Sequence, residues 1–200
     1  MLAAILTIGN EIVSGDTENT NASWLARRLE ELGVRVVLSA AVPDELDRIV
    51  DFVRREGPGV DHLIVTGGLG GTPDDITREA IAAAFEVPQE IVLEVAADLR
   101  ARFTGDPDYV TRWAALPRGA QALENPLGGA PGFHLDNTWV LPGLPGEMKA
   151  MFDRYADELR AARPIGSWRR PSLASGVGRP PHLFSAEANG VANSVPSGGR

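Results

Sequence analysis

The strongest constraint on the fold is a strand pattern followed by a helix pattern, which occurs three times before residue 86. Apolar runs over residues 2–8, 34–38 and 62–65 suit short strands of a sheet whose faces are covered. The three helical patterns that follow them cover residues 21–33, 46–57 and 73–85. Alternation of this kind with short connections predicts right-handed crossovers and helices on both faces of the sheet. We therefore predict the α/β class, as a three-layer α/β/α sandwich with a mainly parallel sheet.

The rest of the chain predicts a less regular second half and a change of character near its end. Helical patterns over residues 89–103 and 107–115 precede a hairpin that turns at Asp136-Asn137, and an amphipathic helix with Met148 and Phe152 on its apolar face follows. From Pro164 onward, Gly, Pro and Ser are dense and no period remains. We predict one domain over residues 1–163 and a mostly disordered tail over residues 164–200.

Composition limits the partners and the location that we expect. A net charge of −8 and a pI near 4.9 disfavour nucleic acids and anionic membranes, which need a basic surface. The absence of cysteine removes disulfides and thiol chemistry, and the first residues lack the basic and apolar regions of a signal peptide. We expect a cytoplasmic protein that binds a small molecule, with no nucleic-acid or membrane partner.

The most informative motif is TGGLGGTPDD, residues 66–75, because it follows the third predicted strand. Ligands of open parallel sheets gather at the carboxyl ends of the strands, where the next helix begins. Glycines let the backbone approach a ligand closely, and N–H groups at a helix start attract anions. Neither GxGxxG nor a following GK[ST] is present, which disfavours a Rossmann cofactor and a P-loop nucleotide.

Two carboxylates, Asp74 and Asp75, stand where the phosphate would bind, and this requires an explanation. A divalent cation between them and the phosphate removes the repulsion, and Mg²⁺ is commonly held by one or two carboxylates plus phosphate oxygens. The alternative is structural: Thr72 is the N-cap of a helix, Pro73 its first residue, and Asp75 bonds back to the cap N–H. The sequence leaves both interpretations open for Asp75.

A second polar segment follows the first strand and contains Gly9, Asn10, Glu11, Gly15, Thr20 and Asn21. If the first and third strands are neighbours, this segment faces the glycine loop across one crevice, and Glu11 adds a metal ligand or a base. The alternative is a polar surface loop with turn-forming residues. A third segment, around Pro142 and Gly143, is rich in rigid turns, and Glu147 opens the helix after it.

These motifs together resemble the N-terminal domain of CinA-type proteins, a branch of the molybdopterin-binding fold family that includes MogA and MoaB. The matching segments are Gly9-Asn10-Glu11 with Gly15 and Thr20-Asn21, TGGLGGTPDDIT, NPLGGAPGF and LPGLPGEM, over about residues 1–160. The resemblance implies a nucleotide or pterin site at these loops and metal-dependent ADP-ribose pyrophosphatase activity that releases AMP and ribose 5-phosphate. CinA-type proteins also carry an amidase domain, and we expect no counterpart of it in this chain. Two departures are Asn10, where aspartate is commoner, and Gly71, where proline is frequent.

The first hypothesis for function is therefore a metal-dependent pyrophosphate hydrolase of ADP-ribose or a related nucleotide. The alternatives are a protein that binds or adenylylates molybdopterin, and a nucleotide-binding module without turnover. We predict Asp74, Asp75 and Glu11 as catalytic residues, with Mg²⁺ on Asp74 and Asp75, in a chain that forms a homo-oligomer. The predicted substrate-binding residues are Gly9, Asn10, Gly15, Thr20, Asn21, Thr66, Gly67, Gly68, Leu69, Gly70, Gly71, Thr72, Asn125, Pro142, Gly143 and Glu147.

Overall fold

The structure is a computed structural model that describes residues 1–103 and 107–161. The predicted tail, residues 164–200, lies outside the described residues. The strands are β1 (Leu2–Ile8), β2 (Arg35–Val42), β3 (His62–Thr66), β4 (Gln89–Ile91), β5 (Ala115–Pro117), β6 (Gln121–Leu123), β7 (Gly132–Leu135) and β8 (Thr138–Leu141). The helices are α1 (Asn10–Ser14), α2 (Thr20–Glu31), α3 (Leu46–Glu56), α4 (Thr77–Ala84), α5 (Leu93–Arg102), α6 (Pro107–Ala114) and α7 (Pro145–Ala161).

The main sheet has six strands in the order β2-β1-β3-β8-β7-β6. Strands β2, β1, β3 and β8 are parallel to their neighbours within this group, whereas β7 pairs antiparallel with both β8 and β6. The predicted hairpin turn is present, and Asp136 takes the left-handed conformation there, with φ of 54°. Because β1 and β3 are neighbours, the loops that follow them meet at one edge of the sheet, as we expected.

Apolar side chains fill the space on both faces of the sheet. One core cluster joins the sheet to α2 and α7 through Leu25, Leu29, Met151 and Phe152. The other joins it to α3 and α4, with Ile81 among its members. The predicted three-layer α/β/α arrangement is thus confirmed. Among the described residues, no helix combines the length and apolar character that crossing a bilayer requires.

Three details of the predicted secondary structure are wrong. Residues 10–14 form the short helix α1, which the polar segment did not predict. The N-cap of α2 is Asn19, whose side chain accepts a hydrogen bond from the Ala22 N–H; it is neither Thr20 nor Asn21. Residues 89–91 form strand β4, which pairs with β5, although residues 89–103 have a helical pattern throughout. Pairing with a distant segment decides the state of such a short stretch, and local spacing cannot report it.

Helix α4 begins at Thr77, four residues later than the predicted start at Pro73. Pro73 and Asp74 lie in a turn, and Ile76 precedes the helix without a side-chain cap. The predicted Asp75 bond to the Thr72 N–H is present at 2.9 Å, but it closes a loop before the helix. The glycine loop is therefore longer than the sequence indicated.

Candidate functional site

A cleft lies at the carboxyl ends of β1, β3 and β8, where parallel strands of an α/β sheet present their loops. It consists of two adjoining cavities that share Ile8, Glu11, Gly67 and Gly143. The larger, which we call the glycine-loop chamber, has a volume of about 390 Å³ and is lined by Gly68–Gly70 and four acidic residues. The smaller, the side pocket, has a volume of about 110 Å³.

Two glycines let the backbone segments at the base of the cleft come together. Gly67 has φ of 106°, and a Cβ on it would lie 2.1 Å from the Ile8 carbonyl oxygen. A Cβ on Gly143 would lie 3.2 Å from the Gly67 Cα. Any side chain at Gly67 would therefore separate the ends of β1 and β3, so glycine is required by contact and by conformation.

Hydrogen bonds tie three of the sequence motifs to one another. The Asn21 amide donates to the Gly143 carbonyl oxygen at 2.8 Å, and the Thr66 hydroxyl donates to the Pro142 carbonyl oxygen at 2.7 Å. Asn21 and Thr66 are buried, and both line the side pocket together with Thr7. These contacts fix the turn after β8 over the start of the glycine loop.

Asp75 closes the glycine loop on itself. One carboxylate oxygen accepts from the Gly70 N–H at 2.8 Å, and the other accepts from the N–H and hydroxyl of Thr72. A Cβ on Gly70 would lie 2.4 Å from this carboxylate, so the aspartate packs directly on the glycine. Asp75 is thus an internal anion of the loop, while Asp74 beside it is exposed.

Two residues that line the chamber carry backbone N–H groups with no protein acceptor in the described part of the chain. These residues are Gly68 and Leu69. Unpaired N–H groups in consecutive residues form the kind of concavity that binds anions. The chamber lining therefore combines two N–H groups of this kind with four carboxylates.

The carboxylates of the chamber are Glu11, Asp44, Asp74 and Asp75. Asp44 is half-buried, and burial raises its pKa above the ordinary value; the negative charges of Glu11, Asp75 and Asp74 raise it further. A hydrogen bond from the Asn10 N–H, 2.9 Å long, opposes this increase. Like charges this close together favour protonation of Asp44 and would be offset by a cation between them.

This donor set suits a divalent cation that is shared with a phosphate. No group of three or more His, Cys, Asp or Glu side chains in residues 1–103 and 107–161 is arranged to hold a metal ion alone. Mg²⁺ does not need such a group, because it commonly uses one or two carboxylates together with phosphate oxygens and water. Asp74, Glu11 and Asp44 are the carboxylates that face the chamber without closing the loop.

Comparison with known proteins assigns the domain. A family model described as a probable molybdopterin binding domain matches residues 4–161. The chain belongs to this family. A CinA-like protein of Parasynechococcus marenigrum is 42% identical over 162 residues, which cover 76% of this chain and 39% of that protein. The chain thus spans about two fifths of the length of this relative.

Solved structures agree with this assignment to the molybdopterin-binding-domain family. A crystal structure from Thermoplasma acidophilum, described as the protein CinA with unknown function, has a TM-score of 0.75 and 31% identity, covering 80% of this chain and 99% of that one. A tungsten cofactor synthesizing protein MoaB from Pyrococcus furiosus has a TM-score of 0.52 at 21% identity, covering 81% and 96%. The second likeness concerns the fold alone.

The structure brings most of the predicted site residues of this family member to the cleft. Those that line at least one of the two cavities are Gly9, Glu11, Thr20, Asn21, Thr66, Gly67, Gly68, Leu69, Gly70, Thr72, Asp74, Asp75 and Gly143. Pro142 and Asn10 lie just behind this lining. Pro142 bonds Thr66 through its carbonyl oxygen, and Asn10 contributes its N–H and side chain to Asp44.

Four further predicted site residues line neither cavity: Gly15, Gly71, Asn125 and Glu147. Gly15 ends α1 in a left-handed turn, and a Cβ on it would meet no atom within 4 Å. Gly71 contacts Arg112 through its carbonyl oxygen. Asn125 binds Glu147 at 3.0 Å, so these two motifs join the start of α7 to the loop before β7. The substrate-binding roles of all four stay predictions.

Sequence reasoning missed Asp44, Arg78 and Arg112. Asp44 follows the second parallel strand, so the rule that located the other loops at one edge also applies to it. Arg78 occupies the buried side of α4 with Ile81, at a spacing of three residues, and is 2% exposed. An arginine on an apolar helix face was the available signal. For Arg112, no local pattern indicated the contact with the loop.

Proposed function

We propose that the cleft binds a nucleotide pyrophosphate and hydrolyses it with the help of a divalent metal ion. ADP-ribose is the substrate that the resemblance to CinA-type proteins implies. The observation that carries the proposal is the lining of the chamber: Gly68 and Leu69, whose N–H groups have no protein acceptor among the described residues, line the same space as four carboxylates. An anion and several carboxylates can share such a space when a cation lies between them.

Each group of the chamber has a defined task in this proposal. The N–H groups of Gly68 and Leu69 bind phosphate oxygens, and Asp75 holds the loop in the shape that presents them. Asp74 holds the cation, with Asp44 beside it. When bound, the metal ion neutralises phosphate charge and lowers the pKa of a coordinated water. Asp75 has this structural role in the loop, and the metal-ligand role that the sequence predicts for it stays a prediction.

The reaction itself needs a water molecule and a proton acceptor. The oxygen of the water bonds to one phosphorus of the pyrophosphate, the bridging P–O bond breaks, and AMP and ribose 5-phosphate leave. Glu11 is the candidate acceptor for the proton, since it lies on the wall that the two cavities share. The side pocket adjoins this wall, and the Thr7, Asn21 and Thr66 side chains give it polar groups for the remainder of the substrate.

The test is AMP release from ADP-ribose with Mg²⁺, for the parent chain and for Asp74→Asn. We expect release by the parent, none in EDTA, and a loss of about 100-fold or more when the proposed ligand is changed. Asp98→Asn is the matched control, because Asp98 is an exposed acid on α5, outside the cleft. Absence of AMP from the parent would refute hydrolysis, and full activity of Asp74→Asn would refute the role of Asp74.

A second candidate function is binding of a molybdopterin. The match of residues 4–161 to a probable molybdopterin binding domain favours it, since the same cleft would accept a phosphate-bearing pterin. Tight pterin binding without ADP-ribose hydrolysis would select this alternative. Nucleotide binding without turnover, unaffected by Asp74→Asn, would select a binding module instead.

A further inference from the structure

The carbonyl groups of the glycine loop are held in an unbroken series. Each carbonyl oxygen from residue 67 to residue 72 accepts a hydrogen bond from a group outside the cleft or from the loop's own end. In order along the loop, the donors are the Thr77 hydroxyl, the Thr77 N–H, Arg78 twice, Arg112 and the Asp75 N–H. Six consecutive carbonyls with donors are unusual for a glycine-rich segment, which is intrinsically free to rotate.

Arg78 contributes two of these bonds from beneath the loop. Its guanidinium donates to the Leu69 carbonyl oxygen at 2.7 Å and to the Gly70 carbonyl oxygen at 3.3 Å. The residue is 2% exposed, and burial lowers its pKa to about 10, so it remains charged near neutral pH. Among the described residues, no carboxylate is hydrogen-bonded to this guanidinium, so the two carbonyl oxygens stabilise its buried charge. The guanidinium in turn holds the two carbonyl groups in place.

Arg112 contributes the next bond from a different part of the fold. It lies on α6, is exposed, and donates to the Gly71 carbonyl oxygen at 2.9 Å over a sequence separation of 41 residues. Loss of an exposed side chain should leave the core intact. A substitution at Arg112 can therefore change the geometry of the loop without changing the stability of the fold.

The two arginines fix the orientation of three peptides of the loop. All peptide bonds described are trans, so the carbonyl of one residue and the N–H of the next point in opposite directions. Arg78 fixes the peptides that carry the Gly70 and Gly71 N–H groups, and Arg112 fixes the peptide that carries the Thr72 N–H. The first and last of these bond Asp75. The N–H groups on these three peptides therefore point away from the arginines.

The Gly68 and Leu69 N–H groups, which we assign to phosphate, lie on the peptides whose carbonyl oxygens accept from Thr77. We propose that Arg78 and Arg112 are positioning residues that hold the adjoining peptides, and with them the shape of the glycine loop, and so set its affinity for phosphate. They do not line the glycine-loop chamber, so they act through the backbone. The inference rests on the proposed function in one respect, namely that the anion bound by this loop is a phosphate.

The test uses the full 200-residue chain, inorganic pyrophosphate with Mg²⁺ as the probe, and three variants. Arg112→Gln removes the exposed contact, and Arg78→Lys keeps the charge but loses the planar fork that reaches two carbonyls. Arg118→Gln is the control, because Arg118 is an exposed arginine that pairs with Glu90, outside the chamber. Calorimetry gives the dissociation constants, and amide hydrogen exchange reports Gly70 and Thr72.

We expect Arg112→Gln to weaken pyrophosphate binding by about three- to tenfold, as loss of one solvent-exposed hydrogen bond of ordinary net strength implies. Its melting temperature should equal that of Arg118→Gln, while its Gly70 and Thr72 amides exchange faster. Arg78→Lys should weaken binding at least as much. If a folded Arg112→Gln variant binds pyrophosphate and exchanges its amide hydrogens as the parent does, the positioning role is refuted and the proposed function is unaffected. Failure of the parent to bind pyrophosphate would contradict the proposed function, and parent-like exchange in the variant would still decide against positioning.

Discussion

Among single residues, the two adjacent acids of the loop have different surroundings. Asp75 accepts hydrogen bonds from Gly70 and Thr72, whereas Asp74 is exposed in the chamber. We expect Asp75→Asn to reduce the free energy of unfolding by about 1–3 kcal/mol, because its amide group faces an N–H donor. Asp74→Asn should change it by less than about 0.5 kcal/mol. Urea denaturation measures both, and equal losses in the two variants would contradict the structural role of Asp75.

Asp44 gives a pH-dependent prediction at the same scale. Its pKa is raised in the folded state, so the folded chain binds this proton more tightly than the unfolded chain does. The stability that this group contributes is present below its ordinary pKa and is lost as pH rises through the raised value. Asp44→Asn should therefore raise the melting temperature at pH 7 in EDTA, and the gain should shrink toward pH 3. A gain that is independent of pH would contradict the raised pKa of Asp44, which burial and the neighbouring acids together cause.

At the scale of elements, the close approach of the β1 and β3 ends depends on Gly67. Its Cβ would meet the Ile8 carbonyl oxygen at 2.1 Å, whereas a Cβ on Gly15 meets nothing within 4 Å. Both glycines have positive φ, so alanine costs about 1–2 kcal/mol of strain at either position. Gly67→Ala should cost roughly 1–3 kcal/mol more, from overpacking. Denaturant midpoints compare the pair, and equal losses would show that the strand ends tolerate separation.

The elements also show what the sequence could predict. The runs that became β1 and β3 are apolar throughout, and α3 has a clear stripe, so local pattern and tertiary burial agree. Strand β4 escaped prediction because its pairing partner, β5, lies in a distant segment. The start of α4 was placed too early because Thr72-Pro73 is typical of a helix start, while the Asp75 bonds to Gly70 and Thr72 stabilise a loop instead.

At the scale of the whole molecule, motif order located the cleft but not the roles within it. Parallel topology brings the loops after β1, β3 and β8 together, which the sequence predicted for the first two. The contacts of Asn125 with Glu147, and of Arg112 with Gly71, join segments 22 and 41 residues apart. Such contacts depend on packing that no local spacing reports.

The whole molecule also yields a prediction about its independent stability. The described residues, 1–103 and 107–161, form two large core clusters and both cavities of the cleft, and the matched family domain ends at residue 161. We expect a chain cut after Ala161 to keep the melting temperature of the full chain and the ADP-ribose hydrolysis that we propose for it. Calorimetry and the AMP assay measure these. A marked loss of stability would show that residues 162–200 contribute to the domain.

The central claim is that the glycine loop requires a cation before it binds phosphate. Its most direct test is calorimetric titration of ADP-ribose into the full chain, in millimolar Mg²⁺ and again in EDTA. The account predicts binding with Mg²⁺ and a loss of at least about tenfold in affinity without it, because the carboxylates then repel the phosphates. Equal affinity in the two buffers would contradict it.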